Sequence, residues 1–358
     1  MLAWLATCCA APAAATPVTR RSSPVTAFAP VVPGYKIHFP RDDGSHPDFR
    51  LEWWYITGWL NEPARPLGFQ ITFFRVRPEL KHDNPSAFTP RQILIAHAAL
   101  SDPAQGKLVH AQRAARAGFG MVGVEEGRTQ VWIDEWRLHR EGDSYRAHIP
   151  AREFSLDLAF TTTQAPLLQG ENGLSRKGPA PEFASYYYSL PHLKVSGAVT
   201  RGGKLQPVTG SAWLDHEWSS QYMEKETVGW DWIGINLDDG SALMAFRMRG
   251  KDGGSSWAGG ALRRAGGPVR SFGPGEVRFT SRRKWRSART GTSYPVSWEI
   301  QAGDLNLAIE PLFDDQEHDT RGSTGTIYWE GAVRAVRDGK PAGLGYLELT
   351  GYWRRVDI

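Results

Sequence analysis

The sequence is poor in cysteine. Its 358 residues include only two, Cys8 and Cys9, and both lie in an apolar, alanine-rich opening. Because no cysteine follows residue 9, the body of the protein can contain neither a disulfide framework nor a cysteine-based metal or redox site. Beyond this opening the chain also lacks the run of about 18 apolar residues that a membrane-spanning helix requires.

Several catalytic signatures are missing as well. The sequence has no G-x-S-x-G elbow, no P-loop, no dinucleotide fingerprint that opens a helix, no H-E-x-x-H and no C-x-x-C. These motifs position a serine nucleophile, cradle phosphates or bind zinc, so their absence disfavours serine hydrolysis, nucleotide chemistry and zinc proteolysis.

Charge of one sign is not concentrated along the chain. The net charge is +4 with a pI near 9.0, and the basic residues are scattered apart from the segment 281–286. A short basic run of this kind is typical of a solvated strand or turn face rather than an anion site. We therefore expect no nucleic-acid partner.

The opening of the chain indicates export. A short apolar stretch, residues 1–10, precedes small residues at 13–15, as at the end of a signal peptide, although a positively charged start is missing. A misplaced start site and a tail without a targeting role are the alternatives. The segment Leu5–Cys8 loosely resembles a lipoprotein attachment site. We expect a periplasmic or secreted protein that contacts a membrane only through such a lipid anchor, if at all.

The composition favours strands and turns. The chain has 15 Trp, 38 Gly and 24 Pro, and from residue 52 onward short β-branched and aromatic runs alternate with Gly, Pro, Asp and Asn. Hairpin turns are predicted at 237–241 and 337–340, and no long segment has helical periodicity. This spacing predicts an all-β fold of antiparallel barrels or sandwiches.

The length predicts more than one domain, because a single hydrophobic core seldom grows to this size. Residues 1–48 are predicted to be a leader and linker, and the folded part of the chain is predicted to begin near Glu52. We predict an N-terminal domain over 49–222 and a smaller C-terminal domain over 223–358.

Asp231 is the first candidate for chemistry. Strand alternation places it on the same face as Ile233 and Ile235, and an apolar face raises the pKa of a carboxyl group. A carboxyl that stays protonated near neutrality can act as a general acid. The alternative is an Asp at a strand start that pairs with an arginine.

His216 is the second candidate. It shares a strand face with Trp218, which suits an acid–base or positioning group, although a buried hydrogen-bonded histidine is the alternative. Asp215 and Glu217 fall on the opposite face, where we expect a structural role, such as an ion pair with Arg247 or Arg249. Because neighbours on a strand point in opposite directions, residues 215–217 cannot converge on one ion, and we predict no metal and no cofactor.

An aromatic strand opens the first domain. Glu52 shares a face with Trp54 in the run Glu52–Leu60, which makes it a second candidate buried carboxylate. The aromatic side chains form either core packing or the wall of a ligand pocket. His97, among apolar neighbours, is expected to be a hydrogen-bonded core residue.

These motifs together resemble the AttH/CrtC-type lipocalin-like family. The residues that carry the resemblance run in order along the chain: Glu52–Tyr55, Leu100–Asp102, Ser185–Ser189, Val195–Gly197, Val208–Trp218, Gly229–Trp232 and Gly345–Tyr352. The resemblance implies two consecutive lipocalin-like antiparallel β-barrel domains. The family includes carotenoid 1,2-hydratases, related hydratases and cyclases, and exported bacterial members described as predicted hydrolases or as companions of an ABC transport system. The chain looks closest to the AttH-like exported branch.

The resemblance also implies roles for residues. Asp231 matches the acid that protonates an alkene, with His216 as its catalytic neighbour. The side chains expected to line the pocket are Trp218, Trp230, Trp232, Trp54, Glu52 and Tyr187. Aromatic faces stabilise a passing cation, which fits the richness in tryptophan.

Two hypotheses of different kinds follow. The first is a cofactor-independent hydratase or hydrolase that acts on an isoprenoid or lipid-like molecule in a pocket between two barrels. The second is a non-catalytic periplasmic carrier of a hydrophobic ligand that serves ABC transporter components. A purely structural assembly protein is a third possibility and would have no cavity.

Overall fold

A computed structural model describes residues 28–61, 65–79, 86 and 88–356. Cys8, Cys9 and the predicted export signal lie outside this part of the chain. The described residues contain no α-helix, and their one helical segment is a 3-10 turn at Arg41–Asp43. No helix in this part of the chain has the length and apolar character needed to cross a membrane.

The first half of the chain forms one antiparallel sheet of 13 strands. Its order is β4-β3-β2-β1-β13-β12-β9-β8-β7-β6-β5, and β10 and β11 pair with β12. The strands are β1 (Leu51–Asn61), β2 (Leu67–Val76), β3 (Ile93–Ser101), β4 (Leu108–Arg116), β5 (Val122–Val124), β6 (Gln130–Ile133), β7 (Trp136–Glu141), β8 (Ser144–Pro150), β9 (Phe154–Thr161), β10 (Leu167–Leu168), β11 (Leu174–Arg176), β12 (Ala184–Arg201) and β13 (Lys204–Gln221).

The second half forms an antiparallel sheet of 10 strands. The strands are β14 (Thr227–Leu237), β15 (Ala242–Gly250), β16 (Ser255–Arg263), β17 (Val269–Phe272), β18 (Val277–Arg286), β19 (Ser293–Ala302), β20 (Leu305–Pro311), β21 (Glu317–Asp319), β22 (Ile327–Arg337) and β23 (Lys340–Leu349).

Each sheet curls around its own apolar core. In the first sheet, β3 and β4 approach β6, and in the second sheet, β15 and β16 approach β18. The two ends of each sheet therefore come together. The prediction of an all-β fold with two lipocalin-like antiparallel barrels is confirmed. The chain passes from the first sheet to the second between Gln221 and Thr227.

A third apolar layer lies between the two sheets. It contains Tyr55 and Trp59 from β1, and Trp232 from β14. Alternation explains its origin, because residues next to these on each strand, such as Ile56 and Ile233, point into the two barrel cores instead. The face-to-face packing of the sheets therefore creates a buried inter-barrel layer from side chains that an isolated barrel would expose.

Three local predictions need correction. Residues 186–190 and 193–200, which the sequence pattern predicts as two separate strands, belong to one strand, β12, with an irregularity in pairing between Leu190 and Leu193. Strand β4 was not predicted, because its half-buried polar and basic side chains hide the apolar alternation. The segment before β1 is not a mere linker, since Asp42 and Asp43 are buried.

The hairpin predictions at 237–241 and 337–340 are confirmed, since β14 turns into β15 and β22 into β23 at these positions. The basic run 281–286 lies on β18 with most of its side chains exposed, as expected of a solvated strand face. Arg282 and Arg283 pair there with Glu299 and Asp314.

Candidate functional site

Strand β13 places titratable side chains in two separate parts of the molecule. Asp215 and Glu217 point into the inter-barrel layer, whereas His216 points into the first barrel. The predicted alternation along this strand is therefore correct. Because the strand is paired on both sides, by β1 and by β12, these side chains have little freedom to turn.

Asp215 lies at the centre of the inter-barrel layer and accepts three hydrogen bonds. The Tyr187 hydroxyl donates at 2.7 Å, the Ser189 hydroxyl at 2.5 Å, and the Trp213 indole N–H at 2.6 Å. The Trp232 indole in turn donates to the Tyr187 hydroxyl at 3.0 Å, which joins the second sheet to the network. This arrangement holds the carboxyl group among aromatic rings from both halves of the molecule.

Burial and hydrogen bonding act on Asp215 in opposite directions. Removal from water raises the pKa of its carboxyl to about 7, although the donors from Ser189, Tyr187 and Trp213 favour the ionised form. A pKa near neutrality lets the group donate a proton, and the three donors stabilise the carboxylate that remains. Asp215 is thus poised for acid–base chemistry.

A buried ion pair, formed by Lys177 and Glu217, lies next to Asp215. The Lys177 ammonium lies 2.8 Å from Glu217 Oε1 and donates to the Ser175 hydroxyl at 3.1 Å. Burial lowers the pKa of Lys177 and raises that of Glu217, so the enclosure favours the neutral form of each. The ammonium also faces the Phe246 ring, with its nitrogen 4.3 Å from the ring centre.

Two more carboxyl groups lie in the same layer. Glu330 on β22 and Glu348 on β23 stand directly opposite each other; Glu330 is buried and Glu348 is half-buried. Burial raises the pKa of Glu348 to about 7, with added repulsion from Asp215, and burial together with the Glu348 charge raises that of Glu330 well above its usual value. Several proton-binding carboxyl groups therefore share one water-poor layer.

A groove opens beside this layer. It has a volume of about 450 Å³. Ser175, Met244, Phe246 and Trp257 are among the side chains that line it. Because Ser175 and Phe246 also contact Lys177, the groove and the buried acids share a wall.

The second buried site lies inside the first barrel around Glu52. Its carboxylate lies 3.0 Å from His216 Nε2, 2.7 Å from His46 Nδ1 and 2.7 Å from Arg75 Nε. Burial alone would raise the pKa of Glu52, but the Arg75 and His46 charges hold it well below its usual range. Glu52 is therefore a carboxylate and not a proton donor.

Aromatic rings enclose this barrel site. The His46 ring stacks on Trp218 with ring centres 3.8 Å apart, and the Trp54 ring stacks on His216 at 4.7 Å. Full burial lowers the pKa of His216 despite its contact with Glu52. Trp54 and Trp218 were predicted to line a ligand pocket, and here they stack on His216 and His46.

Asp231 lies elsewhere, inside the second barrel. Its carboxylate accepts a hydrogen bond from Arg247 Nε at 2.6 Å, and Arg249 Nε lies 3.5 Å away. The expectation of purely apolar surroundings is wrong, because β15 brings both guanidinium groups to the same face. For the same reason Arg247 and Arg249 do not pair with Asp215 or Glu217. Asp231 therefore has the ion-paired arrangement that the sequence left open as the alternative.

The structure thus divides the predicted site residues among three places. His216, Trp218, Trp54 and Glu52 lie in the first barrel, Asp231 lies in the second, and Tyr187, Trp230 and Trp232 belong to the inter-barrel layer. Trp230 donates its indole N–H to Glu348 at 3.2 Å. His97 is a buried residue bonded to Tyr328 and Ser323, as predicted.

Sequence reasoning missed several residues. Lys177 and His46 lie in irregular segments, where no periodicity indicates which side chains are buried. Glu330 and Glu348 did carry a signal, since strand alternation puts each on one face with a tyrosine, Tyr328 and Tyr346 respectively. That signal is the one that identified Glu52.

The family comparison agrees with this architecture. The family model described as AttH-like matches residues 30–352. The chain belongs to the AttH-like family. A search of curated proteins finds no match to this AttH-like chain.

Solved structures of similar proteins support the assignment. A crystal structure assigned to AttH from Nitrosomonas europaea is 55% identical, with a TM-score of 0.86, and the match covers 91% of this AttH-like chain and all of the other. Kievitone hydratase from Nectria haematococca shares the fold at 14% identity and a TM-score of 0.67, covering 91% of this chain and 99% of that one. CghA in complex with Sch210972 matches at 13% identity and a TM-score of 0.54, with 84% and 88% covered.

Proposed function

We propose that this protein is a hydratase-type enzyme that adds water to an isoprenoid or lipid-like substrate, with Asp215 as the general acid. One observation carries the proposal: Asp215 is a fully buried carboxyl group with a pKa of about 7, enclosed by aromatic rings from both barrels. This position replaces Asp231 in the predicted role, because Asp231 is ion-paired.

The reaction can be written with Asp215 alone. The protonated carboxyl transfers its proton to one carbon of an alkene, and the C=C π electrons form the new C–H bond. Water attacks the resulting tertiary cation, and the excess proton on its oxygen returns to the Asp215 carboxylate. The Trp213 and Trp232 rings stabilise the cation through their negative faces. The Tyr187 and Ser189 hydroxyls stabilise the transient carboxylate.

The groove offers a path for a hydrophobic substrate. Phe246 lines the groove and also faces the Lys177 ammonium, so a substrate that displaces this ring would move toward the buried acids. The fold shared with kievitone hydratase supports a hydratase, although that likeness concerns the fold alone.

The test combines isotope labelling with two variants. The full chain is incubated with a panel of prenylated phenols and linear isoprenoid alkenes in water enriched in ¹⁸O, and products are identified by mass spectrometry. We expect a product heavier by one labelled water, and a rate at least about 100-fold lower for Asp215→Asn. The control is Asp134→Asn, which removes an exposed carboxylate. Full activity of Asp215→Asn would refute the proposal.

A carrier without catalysis is the second candidate, and one observation favours it. The groove lining includes none of the buried carboxyl groups, so a ligand could bind there without reaching an acid. Native mass spectrometry of protein from its own host, before and after lipid extraction, distinguishes the two functions. A carrier retains a prenyl or acyl compound that it never converts, whereas an enzyme also forms the hydrated product.

We also propose that the protein acts in the periplasm or as a secreted protein, alongside ABC transporter components. The leader composition at residues 1–15 supports export. Fractionation of host cells tests the location, and crosslinking followed by mass spectrometry tests the partner. Recovery in the cytoplasmic fraction alone, with the leader intact, would contradict export.

A further inference from the structure

Three side chains of the first barrel converge on one point. His46 lies on the segment before β1, Glu52 on β1 and His216 on β13, and one ligand atom from each lies within 4.8 Å of the others. We propose that His46 Nδ1, Glu52 Oε1 and His216 Nε2 bind one divalent transition-metal ion, Zn²⁺ in the first instance. Two imidazoles and one carboxylate form a donor set that Zn²⁺ accepts in proteins.

The atoms behind the donors have the arrangement that metal ligands need. His216 Nδ1 faces the Tyr188 hydroxyl at 3.2 Å, and His46 Nε2 lies 3.6 Å from the Asp42 carboxylate. Glu52 Oε2, the oxygen not assigned to the ion, is held by Arg75 at 2.7 Å. Such outer contacts fix the ring orientation, and a metal ion that binds here would displace any proton from the inner nitrogen of each imidazole.

The hydrogen bonds around His216 leave one of its ring nitrogens available to an ion. Tyr188 has one hydroxyl proton and donates it to Asp43 at 2.8 Å, so its oxygen can only accept from His216 Nδ1–H. The other ring nitrogen, Nε2, faces the Glu52 carboxylate 3.0 Å away. A cation bound between these atoms would leave the hydrogen bonds of Tyr188 intact.

The surroundings hold the donors in place. His46 stacks on Trp218 and His216 stacks on Trp54, so neither ring is free to rotate away from Glu52. An ion at this point would cross-link the segment before β1 to two strands of the barrel. We therefore assign it a structural role. The inference does not depend on Asp215, which faces the opposite side of β13.

The experiment uses the full chain. Protein stripped with a chelator is incubated with ZnCl₂, freed of excess metal and analysed for zinc per chain. We expect about one Zn²⁺ per wild-type chain, a rise in melting temperature on zinc addition, and loss of binding in His46→Gln. The matched control is His148→Asn, a half-exposed histidine on β8, which should bind as the wild type does. Parallel incubations with Fe²⁺ and Mg²⁺ test which metal ion the site prefers.

Two results would overturn the proposal. One is a stripped wild-type chain that takes up no zinc, which would leave an imidazolium at His216 as the explanation of the geometry. The other is equal zinc binding by His46→Gln and His148→Asn, which would place the metal elsewhere. Should His46→Gln fail to fold, Co²⁺ absorption of the wild type decides: visible bands of a nitrogen- and oxygen-ligated ion support the site, and their absence refutes it.

Discussion

Single residues on β13 show how the environment changes the chemistry of a side chain. Asp215 is buried with neutral donors, His216 contacts a carboxylate, and Glu217 contacts an ammonium. These three residues are adjacent in the sequence, yet each contacts a different kind of neighbour. The pKa of each group therefore follows from which face of the strand it occupies and which element covers that face.

The raised pKa of Asp215 makes stability depend on pH. The carboxyl pKa is about 7 in the folded protein and near the ordinary 3.8 when unfolded. Between these values the folded state keeps a proton that the unfolded state releases, so the free energy of unfolding falls as pH rises from about 4 to about 7. It then levels off. At 1.36 kcal/mol per pKa unit this contribution amounts to at most about 4 kcal/mol.

Asp215→Asn should remove this contribution. Urea unfolding at about pH 5 and about pH 8 measures the difference in stability between the two conditions. We expect the difference to be smaller in Asp215→Asn than in the wild type, and unchanged in the exposed control Asp134→Asn. An identical pH dependence in both variants would contradict the raised pKa.

The Lys177–Glu217 pair should show strong coupling. Lys177→Met leaves a buried carboxylate without its cation, and we expect a loss of about 3–5 kcal/mol in the free energy of unfolding. In the double variant Lys177→Met/Glu217→Gln, the Ser185 hydroxyl can still bond to the amide, and most of the loss should be recovered. Additive losses in the double-mutant cycle would contradict the assigned contact.

At the scale of elements, one close approach between the two sheets involves a glycine. Gly68 on β2 faces Ala332 on β22, and a Cβ atom at residue 68 would overlap the Ala332 Cβ atom. The sheets are also tied by the Trp59 indole, which donates to the Gly345 carbonyl at 2.9 Å. Small side chains at this crossing allow the larger aromatic residues beside it to interdigitate.

Gly68→Ala should therefore push the sheets apart. We expect a loss of about 1–3 kcal/mol in the free energy of unfolding, as is usual for overpacking. Adding Ala332→Gly removes the overlapping methyl group and should recover part of the loss, since the Ser101 Cβ atom still lies 3.0 Å from the new Cβ. Ala332→Gly alone serves as the reference. No recovery in the double variant would show that the strain arises elsewhere.

At the scale of the whole molecule, residues 28–78 and 90–358 form one compact unit. The inter-barrel layer contains large apolar side chains, among them Trp213 and Trp232. Their exposure to water in a separated barrel would lower its free energy of unfolding. Stability of one half therefore depends on the other.

Both halves should consequently unfold together. Differential scanning calorimetry should give a single transition whose calorimetric and van't Hoff enthalpies agree. A fragment covering 223–358 should bind a hydrophobic dye such as ANS, because Trp232 and Met244 would lose their cover. Two resolved transitions, or a fragment that remains monomeric without dye binding, would contradict this prediction.

Much of the fold follows from local patterns. Alternation along β1, β13 and β14 predicted which residues share a face, and the turns at 237–241 and 337–340 marked hairpins correctly. Strand β4 was missed because its polar and basic side chains hide the alternation, and the segment before β1 was missed because its burial comes from distant partners. Asp43, for example, is held by Tyr188, which lies 145 residues away.

The sequence pattern by itself determined the all-β class and the division of each strand into two faces, because period-two alternation is a local property of the backbone. The two barrels were what the family resemblance implied. Only the tertiary structure decided which face meets which. It placed Arg247 and Arg249 on Asp231, left Asp215 among neutral donors, and brought His46 to Glu52. The protonation of a buried carboxyl group depends on charges within a few ångströms, and strand pairing supplies these charges from distant parts of the chain.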